Sequence, residues 1–457
     1  MSVIRQRLTS SPGKQGSSPS TGVDIRAHTL SVHYYFSRQF IAILLLQLLP
    51  AIALMADELH KYRGDNDENW VATWSTTLHQ PDLGIPVLAN SGFHNQTLRQ
   101  IVHATVGGRK VRVRFSTFGA SDLVLGAAHI ALAGQGSAVI PGSDRALSFG
   151  GKPSITIPPG APAVSDPVEL AVPDLGNLAI TIYLPQDTGP ATWHFDARQI
   201  SYISGGGDFT GSTVMPLDAA IPTTQSWFWL AGVDVMAPEQ SGAIVVLGDS
   251  TTDGDRSTVG TNRRWPDQLA QRLIAERHHS RFSVVNEGLD GNRLLHDFLG
   301  PNGLARFERD VLSQPGVSDV IVFFGNNDIF PTDPDQEVTF DQIIQGYEQL
   351  IERAHARGVD IFFATLTPLE GFIPPGANAS SYSPDRELKR QQVNDWIRMS
   401  GEFDGVIDFD RVLRDPDDPA RLAPKYDSGD HGHPTDEGYR AMAETIDLRL
   451  FSNGDRH

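Results

Sequence analysis

Two short segments, far apart in the chain, hold the parts of a nucleophilic device. Asp430-His431-Gly432-His433-Pro434 offers a carboxylate and an imidazole on one short loop. Gly248-Asp249-Ser250-Thr251 offers a serine directly after Ala243-Ile244-Val245-Val246-Leu247, an apolar run that reads as a buried strand. A serine hydroxyl is a poor nucleophile until a positioned imidazole takes its proton, and the imidazole needs a carboxylate to hold its tautomer. All three groups are present, in the order Ser, Asp, His. The residue two beyond Ser250 is Thr252, so the segment is not the G-x-S-x-G elbow of an ordinary α/β-hydrolase. Taken alone, Ser250 reads more simply as an exposed loop serine.

Two intervening segments have the makings of oxyanion donors. In Asn286-Glu287-Gly288-Leu289-Asp290-Gly291-Asn292-Arg293, a glycine lets a backbone N–H approach a ligand oxygen with no side chain in the way. In Gly325-Asn326-Asn327-Asp328, an asparagine amide is a neutral donor and Asp328 is placed to fix the loop. Each segment alone reads equally well as a turn. Asp430 and His433 stand three apart before Pro434 and Thr435, and Thr435 would cap a closing helix over Asp436–Leu448. Asp430, His431 and His433 lack further partners at metal-ligand spacing, so neither a metal nor another cofactor is expected.

These segments must be held by a scaffold, and the chain changes character to supply one. From about Asn69 to Ala237 it is short alternating runs such as Val111-Arg112-Val113-Arg114-Phe115, Ser154-Ile155-Thr156-Ile157 and Ala179-Ile180-Thr181-Ile182-Tyr183. Gly107-Gly108, Pro158-Pro159-Gly160 and Gly205-Gly206-Gly207 punctuate them, the pattern of an antiparallel, jelly-roll-like β-sandwich. From about Ser241, apolar strands over 244–247, 282–285, 320–324, 361–364 and 406–409 alternate with helical spacing at Trp265/Leu269/Leu273, Phe340/Ile344/Tyr347/Ile351 and Val393/Trp396/Ile397. Such alternation predicts parallel strands with crossover helices on both faces, and ligands bind beyond the C-terminal ends of strands in such sheets. Every candidate segment falls there or in the final loop. The expected organisation is a leader over 1–57, an all-β domain over 58–238 and an α/β domain over 239–457.

Composition bounds the partners. A chain of 457 residues has room for two cores, and 43 glycines with 30 prolines point to a loop-rich fold. With 37 basic against 55 acidic residues the net charge is −18, spread along the chain, which argues against nucleic acid or an anionic membrane as partner. The absence of cysteine excludes disulfides and thiol chemistry. The apolar run from Phe40 to Ala56, preceded by Arg26 and Arg38, has the pattern of a secretory signal with cleavage near Ala53 or Ala56. Export to the periplasm or beyond, with no stable membrane association after cleavage, is the expectation; an uncleaved anchor is the alternative. The sequence carries no signal for oligomeric state.

Taken in order, the four segments resemble the SGNH, or GDSL-type, serine hydrolases. Gly248-Asp249-Ser250-Thr251 is similar to the family's first block, with Thr251 where many members carry leucine. Gly291 stands where the glycine block has its glycine, Asn327 matches the G-x-N-D block, and Asp430 to His433 the D-x-x-H block. The resemblance covers about Ser241 to Phe451. It implies a three-layer α/β/α domain of flavodoxin-like order, here behind the all-β domain, and hydrolysis of acyl esters. Carried over, Ser250 is the nucleophile, His433 the base and Asp430 its orienter. The Ser250 N–H, the Gly291 N–H and the Asn327 amide form the oxyanion hole. The larger secreted members point to a small or carbohydrate acyl ester, first an acetyl ester. A general carboxylesterase or lysophospholipase is the second reading, and a non-catalytic carbohydrate-binding protein the third. Trp70, Trp74, Trp193, Trp227 and Trp229 are candidates to stack on sugars, against the plainer reading that they are core.

Overall fold

The computed structural model describes residues 69–80, 88–221, 223–276 and 282–451. The leader expected over 1–57, with its signal, lies outside the described residues.

The alternating runs become strands because one side of each can be buried. In Gly108–Ser116, Val111, Val113 and Phe115 are fully buried, while Arg112 and Arg114 on the other face both clasp the buried Asp234 carboxylate, each at 2.9 Å. One antiparallel sheet runs Trp70–Ser75, Leu230–Met236, Gly108–Ser116, Pro162–Val164, with Val168–Val172 also paired to Gly108–Ser116. A second runs Ser201–Gly206, Gln96–His103, Asn177–Leu184, Ala127–Leu132, Arg145–Ala146. Their inner faces share one core, in which Val111, Val113 and Val233 meet Leu98, Ile180 and Ile182. This is an all-β sandwich.

Trp74, Trp193, Trp227 and Trp229 are buried in that sandwich. Trp74 meets Trp227 edge to face at 4.8 Å, and the Trp227 indole N–H donates to the Ile101 carbonyl at 2.9 Å. Trp70 is covered by the Arg112 guanidinium at 4.4 Å. These rings supply packing mass and offer no stacking platform for a sugar.

Past Met236 the pairing becomes parallel. Gly242–Gly248, second of the five strands and central to the site, is flanked by Phe282–Gly288 and Val317–Phe323; Asp360–Ala364 and Gly405–Ile407 complete the sheet beyond the latter. In chain order that is 2-1-3-4-5, the flavodoxin-like order, within a three-layer α/β/α arrangement. Ala243 to Leu247 have no exposed surface, as a strand covered by helices on both faces requires. The helices Trp265–Ala275, Phe340–His355 and Pro384–Met399 fall where the apolar spacing predicts. The closing helix is Asp436–Thr445, shorter than expected, and Thr435 Oγ1 accepts the Gly438 N–H at 3.1 Å to cap it.

The described residues from Asn69 to Phe451 form one compact unit. Ala72, on the first antiparallel strand, belongs to the core of the parallel sheet. Its N–H donates to the Pro315 carbonyl at 2.8 Å and its carbonyl accepts from Ser283 Oγ at 2.6 Å. Thr105 Oγ1 takes the Val284 N–H at 3.2 Å. The antiparallel half thereby covers Phe282–Gly288, the edge strand of the parallel sheet, which bare would be a template for aggregation. Residues 68–457 are expected to unfold in a single calorimetric transition, and a fragment beginning at residue 239 to aggregate. Two separate transitions in scanning calorimetry would show instead that the halves are energetically independent.

Candidate active site

Ser250 leaves the central strand through a turn that only a small residue permits. A Cβ on Gly248 would lie 2.1 Å from Thr252 Oγ1. The one-turn helix Ser250–Asp253 follows, capped by Asp249, whose carboxylate accepts the Thr251 N–H at 3.2 Å. Gly254 ends it with φ 101°, the left-handed region where a side chain is strained.

Ser250, His433 and Asp430 form one hydrogen-bonded line. His433 Nε2 lies 2.9 Å from Ser250 Oγ, and Nδ1 lies 2.8 Å from Asp430 Oδ2. A carboxylate at Nδ1 fixes that nitrogen as the donor and leaves Nε2 to accept the serine proton. Asp430 is itself held: its Oδ1 accepts the N–H groups of Gly432 and His433 at 3.0 and 2.9 Å and the Ser428 hydroxyl at 3.1 Å. Its Oδ2 also takes Arg256 Nε at 2.9 Å. Burial opposes ionisation of Asp430, but the His433 hydrogen bond and charge and the two N–H donors outweigh it and hold its pKa well below the usual range. Burial likewise disfavours the His433 imidazolium. The Asp430 bond and the charges of Asp255 (3.6 Å from Nδ1), Asp430 and Asp290 more than compensate, so its pKa is raised above 6.5.

Gly291 and Asn327 lie on loops after the two strands flanking the central one. Gly291 has φ +65°, and a Cβ there would stand 2.8 Å from Leu299 Cδ1. Its N–H makes no hydrogen bond within the described residues. Asn327 Nδ2 donates to the Asn292 carbonyl at 3.0 Å and lies 3.5 Å from Asp249 Oδ2, so this amide touches both the Gly291 loop and the residue before Ser250. Asp328 fixes the same loop, its two oxygens accepting the N–H groups of Leu294 and Leu295 at 2.7 and 2.9 Å. Burial pushes the Asp328 pKa up to about 7 against those bonds.

Three neighbours of the site escaped the sequence reading. Arg256, with φ +66°, reaches Asp430 from the Gly-rich loop after Ser250; Asp255 stands beside it. Arg306 is buried beneath the crevice. Its Nη2 donates to the Gly248 carbonyl at 2.9 Å, its Nη1 to the Glu287 carbonyl at 2.8 Å and its Nε to Asn292 Oδ1 at 2.9 Å. A charge in a Gly-rich loop was the one visible signal for Arg256; nothing local marks Arg306. Arg264 is buried and paired with Asp267 at 2.8 Å.

His431, the other imidazole of the loop, is turned away. Its Nδ1 pairs with Asp427 at 2.6 Å, its φ is +67°, and it is half-exposed. Asp255, Asp430 and His433 bring three ligand-type atoms within 4.8 Å of one another. Both His433 nitrogens already face Asp430 and Ser250, and the Arg256 guanidinium occupies Asp430 Oδ2 where a second cation would be repelled. The donor set suits proton transfer and does not suit a metal.

Residues 246–441 match the GDSL-like Lipase/Acylhydrolase family. Similar solved structures include a G-D-S-L family protein from Desulfitobacterium hafniense, at 25% identity over 46% of this chain and 99% of its own, TM-score 0.34. The aryl esterase of M. smegmatis is 18% identical over 44% of this chain and 94% of its own, TM-score 0.34. A carbohydrate acetylesterase from Sinorhizobium meliloti is 16% identical over the same 44% and 94%, TM-score 0.34. No curated protein matches the chain.

The two histidines are separable by substitution. His433→Ala is expected to lower kcat on an activated ester by at least about 10³-fold, and His431→Ala to retain most of the activity. The opposite ranking in steady-state kinetics would reassign the base.

Proposed function

We propose that this chain, whose residues 246–441 match the GDSL-like lipase and acylhydrolase family, is a serine esterase working through an acyl-enzyme at Ser250. The observation that carries the reading is the continuous line from Ser250 Oγ through His433 to Asp430. Ser250 attacks the acyl carbon while His433 Nε2 takes its proton, and the imidazolium is stabilised by Asp430. The oxyanion is held by the N–H groups of Ser250 and Gly291 and by the Asn327 amide. His433 returns the proton to the departing alcohol. Water then repeats the sequence on the acyl-enzyme and frees Ser250.

The substrate we favour is a short acyl ester, first an acetyl ester, on carbohydrate-derived material. Support comes from the rim of the crevice. Phe298 is 52% exposed and packs beside Gly291, with the Arg293 guanidinium 4.5 Å from its ring on one side. Phe372 meets the His433 ring edge to face at 5.3 Å, and its neighbour Ile373 is exposed. A flat apolar ring beside an oxyanion donor suits a pyranose or aryl face. The same apolar rim also favours the second reading, a general carboxylesterase or lysophospholipase acting on longer chains.

Rates on p-nitrophenyl acetate, butyrate and octanoate, with acetate release from acetylated xylan, separate the two when measured for the wild type and Ser250→Ala. The expected result is Ser250-dependent release from both acetyl substrates with little activity on octanoate; a preference for octanoate would select the lipolytic reading. Absence of any Ser250-dependent activity would refute the esterase assignment. The pH dependence follows from the charges around His433. The base must be neutral, and its pKa is raised, so kcat/KM is expected to fall as the pH drops through a midpoint above the ordinary 6.5 of histidine. A rate undiminished at pH 5 would exclude His433 as base.

A further inference from the structure

We propose that His194, from the antiparallel half of the chain, is a positioning residue for ester hydrolysis: its imidazolium holds Asp253, and Asp253 joins the Ser250 helix to the loop that presents the Gly291 N–H. This role presupposes the assignment of that N–H as an oxyanion donor.

His194 lies on the two-residue strand Trp193–His194, paired with Trp227–Phe228, and is 1% exposed. Its Nδ1 stands 2.9 Å from the Thr77 carbonyl and its Nε2 3.0 Å from Asp253 Oδ1. A carbonyl oxygen only accepts, and so does an ionised carboxylate. Both ring nitrogens therefore donate, which makes His194 a buried imidazolium paired with a buried carboxylate. The neighbouring His79 is of the opposite kind, held neutral with a pKa lowered to about 4 by burial and then by the charge of His194.

Asp253 is the last residue of the helix that Ser250 opens. Its second oxygen, Oδ2, accepts the Asp290 N–H at 3.2 Å, one residue before Gly291. The helix and the loop meet so closely that a Cβ on Gly288 would lie 2.2 Å from the Asp253 nitrogen. One carboxylate thus sets the nucleophile's helix against the oxyanion loop, and His194 orients that carboxylate through its other oxygen. The nearby Arg264 is committed to Asp267 through two bonds.

Removing the imidazolium acts on the reaction in two ways. Asp253 loses its orienting partner and the Gly291 loop its anchor, and misplacement of a reacting group by 1 Å costs on the order of 10²-fold. The negative charge of Asp253 is also left uncompensated close to where the tetrahedral oxyanion develops, in a pocket that already holds Asp196, Asp255 and Asp290. Both effects fall on kcat, because neither group touches the substrate in the ground state.

The test compares His194→Asn with His194→Gln in the full chain, using p-nitrophenyl acetate. The asparagine amide stands roughly where Nδ1 does and retains a donor to Thr77; the glutamine amide reaches roughly to Nε2 and retains a donor to Asp253. His194→Asn is expected to lower kcat on the order of 30- to 100-fold with KM changed less than about threefold, and His194→Gln, which restores the hydrogen bond to Asp253 but not the charge, to recover part of that loss. Equal losses in the two variants, following their melting temperatures, would overturn the proposal and leave His194 a packing residue. Should both variants fail to fold, 15N imidazole spectra of the wild type at pH 8 decide: two protonated ring nitrogens support the role, and a neutral ring refutes it. Phosphonate labelling separates this proposal from the esterase reading. A wild type that resists labelling at Ser250 refutes the reading itself, whereas labelling unslowed in His194→Asn refutes only the part played by His194.

Discussion

A parallel sheet ends in a row of carbonyl groups with no further strand to satisfy them, and a buried polar group left unpaired costs on the order of 1–3 kcal/mol. Here one guanidinium shares that demand at the two strands that carry the site, beside the Leu289 N–H at the Gly248 carbonyl (3.2 Å) and the Thr77 hydroxyl at the Glu287 carbonyl (3.3 Å). Arg306 binds the last carbonyl of the central strand and the penultimate carbonyl of its neighbour, and its Nε holds Asn292 in the loop beyond. Because the fork of an arginine is rigid and planar, these bonds also fix the separation between the turn that carries Ser250 and the loop that carries Gly291. The cost of burying the charge is offset by Asp310, 3.3 Å away, and by Thr77 Oγ1 at 2.8 Å. Thr77 comes from the antiparallel half. The crevice is therefore built on a clamp with jaws in both halves of the chain.

Beneath that clamp, burial and then the charge of Asp310 push Glu287 up to about 8, so near neutrality it is largely neutral. Neutral, its Oε2 carries the proton and lies 2.9 Å from the Thr77 hydroxyl, while Oε1 accepts from Gln314 at 2.9 Å and shares a short hydrogen bond with Ser75. All of these groups lie at the seam between the sandwich and the parallel sheet. A buried seam of polar groups partnered with one another fixes one relative placement of the two halves, where apolar contacts alone would tolerate several.

Elements whose burial is periodic were legible in the sequence. Val111, Val113 and Phe115 alternate with arginines and are buried in alternation; Ala243 to Leu247 form an unbroken apolar run and are buried without interruption. The blocks around Ser250, Gly291, Asn327 and Asp430 were legible because each closes a strand or opens a helix. Arg306, Asp253 and His194 were not, since their meaning lies in partners remote in sequence. Arg306 meets Thr77 across 229 positions, and His194 meets Asp253 across 59. No local pattern encodes such contacts. The tryptophans show the converse ambiguity, for a ring that stacks on a sugar and a ring that fills a sandwich have the same letter. Only the position of the core between the two sheets separates the readings.

The site that results is acidic, and this bears on how an anion is stabilised within it. Asp430, Asp255 and Asp290 all favour the imidazolium of His433, which in the proposed mechanism strengthens the base. In that mechanism the same charges oppose the developing oxyanion. Burial, and then the charge of Asp255, raise Asp290 to about 7, so this carboxylate sheds part of its charge near neutrality. What remains must be overcome by dipoles that are already aimed, because donors free to reorient would turn toward the carboxylates instead. That requirement accounts for the density of fixed bonds around the Gly291 loop. Asp328 ties two of its N–H groups, Asn292 two carbonyls beyond it, Arg306 its amide and Asp253 its entry. In the proposed mechanism, the acidic surroundings that raise the pKa of His433 also call for a firmly held Gly291 loop, so the two features belong together.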